Sequence, residues 1–172
     1  VVMGRAFKKL GWKREDLIIS TKIFWGGPGP NQTGLSHKHV IEGVHNALRR
    51  LQTDYVDLCF CHRPDPETPI EETVRAMDIL VRQGNVFYWA TSEWSAADIS
   101  RADEIARQYN RTPPSMEQPQ YNMLVRDRFE REYDPLYKEL GYGTTVWSPL
   151  ASGVLTGKYN DGVPEGSRAS LQ

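Results

Sequence analysis

Short β-rich runs alternate with amphipathic stretches along nearly the whole chain, and no other feature restricts the fold as strongly. Strand-like runs stand at 17–22, 56–62, 85–91, 115–119 and 144–148, and helical periodicity at 37–51, 69–83, 96–109 and 127–140, after an opening helix that stops at Gly11. Strands separated by helices need crossover connections, and crossovers build parallel sheets. The helix boundaries carry their own signals. Ser36 precedes the second helix, Thr68-Pro69 the third, with Glu71 and Glu72 in its first turn, and Ser95 the fourth. Gly84 and Gly141 supply stops. A complete eight-stranded α/β barrel typically takes about 250 residues, so five βα units in 172 fit the middle of one. The expected fold is thus α/β, a partial (β/α)8 barrel of about five central units. It forms a single domain over residues 1–172 that is incomplete at both ends.

Two proton-handling residues close successive strand candidates. Lys22 ends Leu17-Ile18-Ile19-Ser20-Thr21-Lys22, and His62 ends Val56-Asp57-Leu58-Cys59-Phe60-Cys61-His62. In α/β barrels the chemistry gathers at the carboxyl ends of the strands. By alternation, Lys22 shares a face with Ser20 and Ile18, and His62 with Phe60, Leu58 and Val56. If those faces point into the barrel, both polar heads emerge at its rim. Otherwise Lys22 is a solvated cap, and His62 is a structural histidine holding the turn Arg63-Pro64-Asp65-Pro66. The Gly- and Pro-rich loop from Gly26 to Gly34 reads either as an active-site loop or as a solvated excursion. Trp147-Ser148-Pro149-Leu150-Ala151-Ser152-Gly153 offers small residues whose backbone amides a phosphate could reach, with Lys158 and Arg168 as cationic partners. An ordinary surface loop has the same composition. Trp147 could stack on a flat ring or plug the barrel.

Several classes are disfavoured. With 21 basic and 22 acidic residues, a net charge of -1 and no basic cluster longer than Arg49-Arg50 or Lys8-Lys9, nothing draws the chain to nucleic acid or to an acidic membrane surface. No apolar run approaches the roughly 18 residues of a membrane span, so direct insertion is not expected. No charged leader and apolar core open the sequence, which reads as starting inside a helix. Cys59 and Cys61 share one strand face too close together for an ordinary bridge, and reduced thiols fit a cytoplasmic protein. Cys61 and His62 point to opposite faces and no second ligand pair is apparent, so no metal is expected. No Gly-x-Ser-x-Gly marks a serine nucleophile, and no Gly-x-Gly-x-x-Gly marks a doubly wound dinucleotide fold.

Five segments together resemble the aldo-keto reductases: Ser20-Thr21-Lys22-Ile23-Phe24-Trp25-Gly26-Gly27, Asp57 to Asp65, Thr91-Ser92-Glu93-Trp94-Ser95, Glu117-Gln118-Pro119-Gln120-Tyr121-Asn122 and Trp147 to Gly153. The resemblance runs in order over essentially the whole chain. It is nearest to the branch holding the β-subunits of voltage-gated potassium channels and their fungal and plant relatives. It implies a barrel that binds NADPH at the carboxyl ends of its strands and reduces aldehydes or ketones to alcohols. By the resemblance, Lys22 lowers the pKa of a proton-donating tyrosine, and His62 polarises and orients the carbonyl. Ser92 and Gln118 hydrogen-bond the nicotinamide carboxamide, and Trp147 lies against its ring. Ser148, Pro149, Leu150, Ala151 and Ser152 with Lys158 hold the pyrophosphate, Arg168 holds the ribose 2′-phosphate, and Trp25 borders the carbonyl substrate. The family's tyrosine, and the aspartate paired with its lysine, belong ahead of Val1, so these 172 residues alone are expected to be inactive. The resemblance also implies an alternative: an NADPH-binding regulatory subunit, as a homotetramer, on the cytoplasmic domain of a membrane channel.

Overall fold

The computed structural model describes residues 1–171, which fall into two compact units, the first ending at Glu117 and the second starting at Gln118. The first holds α1 (Val2–Leu10), β1 (Ser20–Ile23), α2 (His37–Leu51), β2 (Val56–Cys61), α3 (Ile70–Arg82), β3 (Val86–Thr91), α4 (Ala96–Gln108) and β4 (Met116–Glu117). Its strands pair in parallel and in chain order. The second unit carries a π-helical turn (Arg128–Glu132), α5 (Asp134–Leu140), β5 (Gly143–Thr144) and two 3-10 turns (Ala151–Thr156, Arg168–Leu171). The alternation expected from the sequence is present.

Register fixes which side chains share a face. Thr21, Cys59 and Trp89 stand opposite one another, as do Ile23, Cys61 and Thr91. This face is dry: Ile19, Ile23, Cys59, Cys61, Trp89 and Thr91 are all buried. Helix α2 covers it where Gly43 lies so close to Ile23 that an added Cβ would come 3.1 Å from its side chain. The helices contribute apolar stripes at helical spacing, Val40, Val44, Ala47 and Leu48 from α2 and Val74, Met77 and Leu80 from α3. The other face carries Ser20, Leu58 and Tyr88 in one row and Lys22, Phe60 and Ala90 in the next. Lys22 is thus on the side away from α2.

The boundaries differ from the sequence reading for identifiable reasons. β1 begins at Ser20 rather than Leu17, because side chains hold the preceding residues. The Asp57 carboxylate accepts the Ile19 N–H at 2.7 Å, and the Arg14 guanidinium donates to the Leu17 carbonyl at 2.7 Å. β4 shrinks to two residues between Pro113-Pro114 and Pro119, which lack the N–H a ladder needs. The helix expected over 127–140 is a π-helical turn followed by α5, because Pro135 cannot continue an incoming helix but suits the first turn of a new one. The strand expected at 144–148 is β5 plus a separate bridge between Gln120 and Trp147. Ser36 and Ser95 cap α2 and α4 as expected, accepting the His39 and Asp98 N–H groups. Thr68 does not cap α3: Pro69 occupies that position, and the Thr68 hydroxyl donates to Asp65 at 2.8 Å.

Asp65 also ties the β2–α3 turn to the loop after β1. Its carboxylate accepts the Leu35 N–H at 2.7 Å and the Glu67 N–H at 3.1 Å. Gly34, at φ +95°, lies beneath that carboxylate, and an added Cβ would stand 2.5 Å from Asp65 Oδ2. Gly34→Ala therefore combines left-handed strain with a clash at the half-buried Asp65 anchor. The expected cost is about 2 kcal/mol of unfolding free energy, read from urea denaturation. A variant as stable as the parent would show that the loop relaxes freely.

Candidate active site

The parallel ladder continues one step past the ends of the strands. The His62 N–H donates to the Ile23 carbonyl at 3.0 Å, and the Ser92 N–H donates to the Cys61 carbonyl at 3.0 Å. Those bonds fix the backbone at His62 and Ser92 on one rim, next to the row that carries Lys22 and Phe60. The Lys22 ammonium stands 4.9 Å from the Phe60 ring centroid, within cation–π range. Lys22, His62 and Ser92, read from separate segments, are brought to the carboxyl ends of neighbouring strands.

Arg63, which the sequence places in the turn after His62 with no site role of its own, joins them. Its guanidinium donates to the His62 carbonyl at 2.6 Å and to the Ser92 hydroxyl at 3.4 Å. Partial burial and the nearby Arg63 charge hold the Lys22 pKa below 10.5, with Glu117 acting in the opposite sense. Burial, then Arg63, then Lys22 push the His62 pKa below 6.5. At neutral pH the imidazole is accordingly uncharged, with one ring N–H free to donate toward a ligand oxygen. The only available signal for Arg63 was its adjacency to His62. The two thiols beneath the rim have no part in this chemistry: burial pushes Cys59 up to about 12 and raises Cys61 still more clearly above its usual range. Among the described residues, no group of three His, Cys, Asp or Glu side chains is arranged to hold a metal ion.

The loop after β1 is closed on itself. The Gly34 N–H donates to the Phe24 carbonyl at 2.9 Å, and Gln32 exchanges hydrogen bonds with Gly29 at 3.2 and 3.3 Å. A Cβ on Gly26 would stand 1.9 Å from the Gln32 carbonyl oxygen, so the tight approach needs glycine there. Trp25, mostly exposed, packs edge-on against Phe24 and lines a cleft of about 270 Å³ walled chiefly by its own loop and by His39, Glu42, Gly43, Asn46 and Arg50 of α2, which Lys22 also lines from the edge strand.

The second unit contains a distinct cavity of about 380 Å³ lined by Ser148, Pro149, Leu150, Ser152, Gly153, Thr156, Lys158 and Arg168. The residues read as a phosphate cradle therefore converge, apart from Ala151. Its N–H is turned inward to the Ser148 carbonyl at 3.0 Å. Ser148, Ala151, Ser152 and Gly153 all have positive φ, and the Gly153 N–H is likewise used inside the turn, donating to the Leu150 carbonyl at 2.9 Å. Lys158 folds over Gly153, where an added Cβ would come 2.4 Å from its side chain, so the glycine admits the cation. Lys158 and Arg168 on one cavity suit an anionic group such as a phosphate. Gln118 donates to the Thr145 hydroxyl at 3.1 Å. The backbone of Trp147 is held on both sides, its N–H donating to Pro119 at 3.0 Å and its carbonyl accepting from Tyr121 at 3.4 Å.

A parallel α/β sheet that brings a lysine, a histidine and a serine to the carboxyl ends of neighbouring strands is the architecture of an α/β barrel with its polar groups on the functional rim. The sequence model of the Aldo/keto reductase family matches residues 1–171, and the chain belongs to that family. Its fold is accordingly a partial (β/α)8 barrel. It is 57% identical over 172 residues to a "Probable voltage-gated potassium channel subunit beta" of Arabidopsis thaliana, covering 99% of this chain and 52% of the relative. It is 57% identical over 171 residues to a "Putative voltage-gated potassium channel subunit beta" of Schizosaccharomyces pombe, covering 98% and 50%. A rice protein, Oryza sativa subsp. japonica, with the same description as the Arabidopsis one is 54% identical over 99% of this chain and 52% of its own length. The chain spans about half the length of the curated relatives it matches.

Removing Arg63 isolates its electrostatic effect. The His62 imidazole, followed by NMR, is expected to titrate below 6.5 in the parent and to move upward in Arg63→Met. Because the unfolded chain binds this proton more readily than the folded one, the contribution of His62 to stability falls as pH drops from 6.5 through the folded value. An unshifted midpoint in the variant contradicts the assignment.

Proposed function

We propose that the whole protein is an NADPH-dependent oxidoreductase that reduces aldehydes or ketones to alcohols. The observation carrying this reading is the convergence of Lys22, His62 and Ser92 on one rim, in a chain of the Aldo/keto reductase family. NADPH, when bound, supplies a hydride to the carbonyl carbon. Neutral His62 donates its ring N–H to the carbonyl oxygen, polarising the bond and stabilising the charge that develops there. Lys22 provides the cation that favours ionisation of the proton-donating tyrosine, which the resemblance assigns ahead of Val1. The tyrosine's proton completes the alcohol as the hydride arrives at carbon. Trp25 borders the substrate.

Ser92 and Gln118 bind the nicotinamide carboxamide, and Trp147 flanks the ring. Ser148, Pro149, Leu150, Ala151 and Ser152 with Lys158 receive the pyrophosphate, and Arg168 the ribose 2′-phosphate, which selects NADPH over NADH. The cavity that Lys158 and Arg168 share supports this division.

A second reading rests on the names of the relatives, each described as a voltage-gated potassium channel β-subunit. In that reading the protein binds NADPH as a redox-sensing cytoplasmic subunit, assembles as a tetramer and docks on a channel's cytoplasmic domain. Among the described residues no helix is long and apolar enough to cross a membrane. Rapid NADPH oxidation with 4-nitrobenzaldehyde supports the reductase. Tight cofactor binding with negligible turnover and co-purification with a channel supports the sensor.

Two substitutions in the whole protein test the assignments. Lys22→Met is expected to lower turnover by about 100-fold or more while NADPH binding persists. Full activity in that variant removes Lys22 from the mechanism. Arg168→Ala is expected to weaken NADPH about tenfold or more and NADH little, because only the former carries the phosphate. Equal losses contradict the 2′-phosphate role.

A further inference from the structure

One buried acid has no role in the proposed chemistry. Glu117, the last residue of β4, is 1% exposed, and carboxylates are almost never that deeply buried unless they are paired. Each of its oxygens accepts a hydrogen bond from the 91–93 turn. Oε2 accepts the Thr91 hydroxyl at 2.5 Å, and Oε1 accepts the Glu93 backbone N–H at 2.5 Å. Thr91 and Glu93 are the residues on either side of Ser92. The carboxylate therefore spans Ser92 from beneath, while Arg63 reaches its hydroxyl and the Cys61 carbonyl holds its N–H.

The turn being held is not a relaxed one. Glu93 has φ 61, in the left-handed region that residues other than glycine seldom adopt, and such a conformation persists only where its surroundings impose it. An acid suits this task better than its amide. A carboxylate offers an acceptor at each oxygen, whereas glutamine offers one acceptor and would set an NH2 group against one of the two donors. The Glu93 N–H cannot reverse its role, so the amide leaves one partner of the pair unsatisfied or re-aimed.

We propose that Glu117 is a positioning residue: it locks the Thr91–Ser92–Glu93 turn and thereby presents the Ser92 hydroxyl in one orientation to the nicotinamide carboxamide. This rests on the cofactor reading given above and adds to it a residue that touches neither cofactor nor substrate. Its effect on cofactor affinity falls at the nicotinamide end of the ligand, beside its electrostatic influence on Lys22. A ligand that lacks this end should not sense the substitution.

The test uses the whole protein, Glu117→Gln, and the milder Thr91→Val, which removes one of the two hydrogen bonds and retains the carboxylate. Affinity is measured for NADPH and for 2′,5′-ADP, which keeps the phosphorylated adenosine and has no nicotinamide, alongside the thermal midpoint. Glu117→Gln is expected to weaken NADPH about tenfold and Thr91→Val by a smaller factor, with 2′,5′-ADP unchanged in both. Unaltered NADPH affinity in Glu117→Gln overturns the proposal. A parallel loss for both ligands with a lowered thermal midpoint overturns it too, since that is the signature of a purely structural carboxylate. If the unsubstituted protein binds neither ligand, the cofactor reading itself fails, an outcome visible without any variant.

Discussion

The in-register parallel pairing of β1, β2 and β3 is the constraint on which the rest of the first unit depends. It aligns Ile23, Cys61 and Thr91 in one row and sets Thr91 against Glu117. One residue further on, the same ladder captures His62 and Ser92 through backbone hydrogen bonds. A slip of a single residue in any of these strands would exchange its faces, turning Lys22 toward α2 and an apolar side chain toward the rim. The register is protected by what it buries. Cys59, Cys61 and Trp89 lie in a dry layer beneath the helices, and none could be turned outward without exposing apolar surface.

Electrostatics then sets the state of the groups that the sheet delivers. Three basic side chains, Lys22, His62 and Arg63, converge on one rim, and each proton placed there makes the next harder to add. The Lys22 and His62 pKa values are lowered by partial burial and by the Arg63 charge, so the histidine is the group that remains neutral. Glu117 supplies the opposing charge from below while its oxygens stay committed to Thr91 and Glu93. Proton inventory and backbone geometry at this rim are therefore parts of one arrangement.

Much of this was legible in the sequence because it depends on local pattern. Lys22 and His62 declared themselves by ending apolar runs, and Ser36 and Ser95 by preceding helical periodicity. That Ser148, Ser152 and Gly153 share a cavity with Lys158 and Arg168 was foreshadowed by small residues followed by two cations. What escaped was set by partners distant along the chain. Glu117 meets Thr91 across 26 residues, and Arg63 meets Ser92 across 29, so neither contact leaves a mark in any local window. The early start expected for β1 failed for the same reason, since Asp57 takes the Ile19 N–H from 38 residues away. At 127–140 the missed signal was local: Pro135 stood inside the expected helix and divided it.

Hydride transfer itself tests the central claim most directly. The whole protein would be incubated with NADPH carrying deuterium at the transferable nicotinamide position and with 4-nitrobenzaldehyde, and the alcohol product analysed by mass spectrometry and NMR. The account predicts one deuterium at the carbinol carbon, delivered to a single face. Unlabelled alcohol, or no alcohol despite bound cofactor, would contradict it.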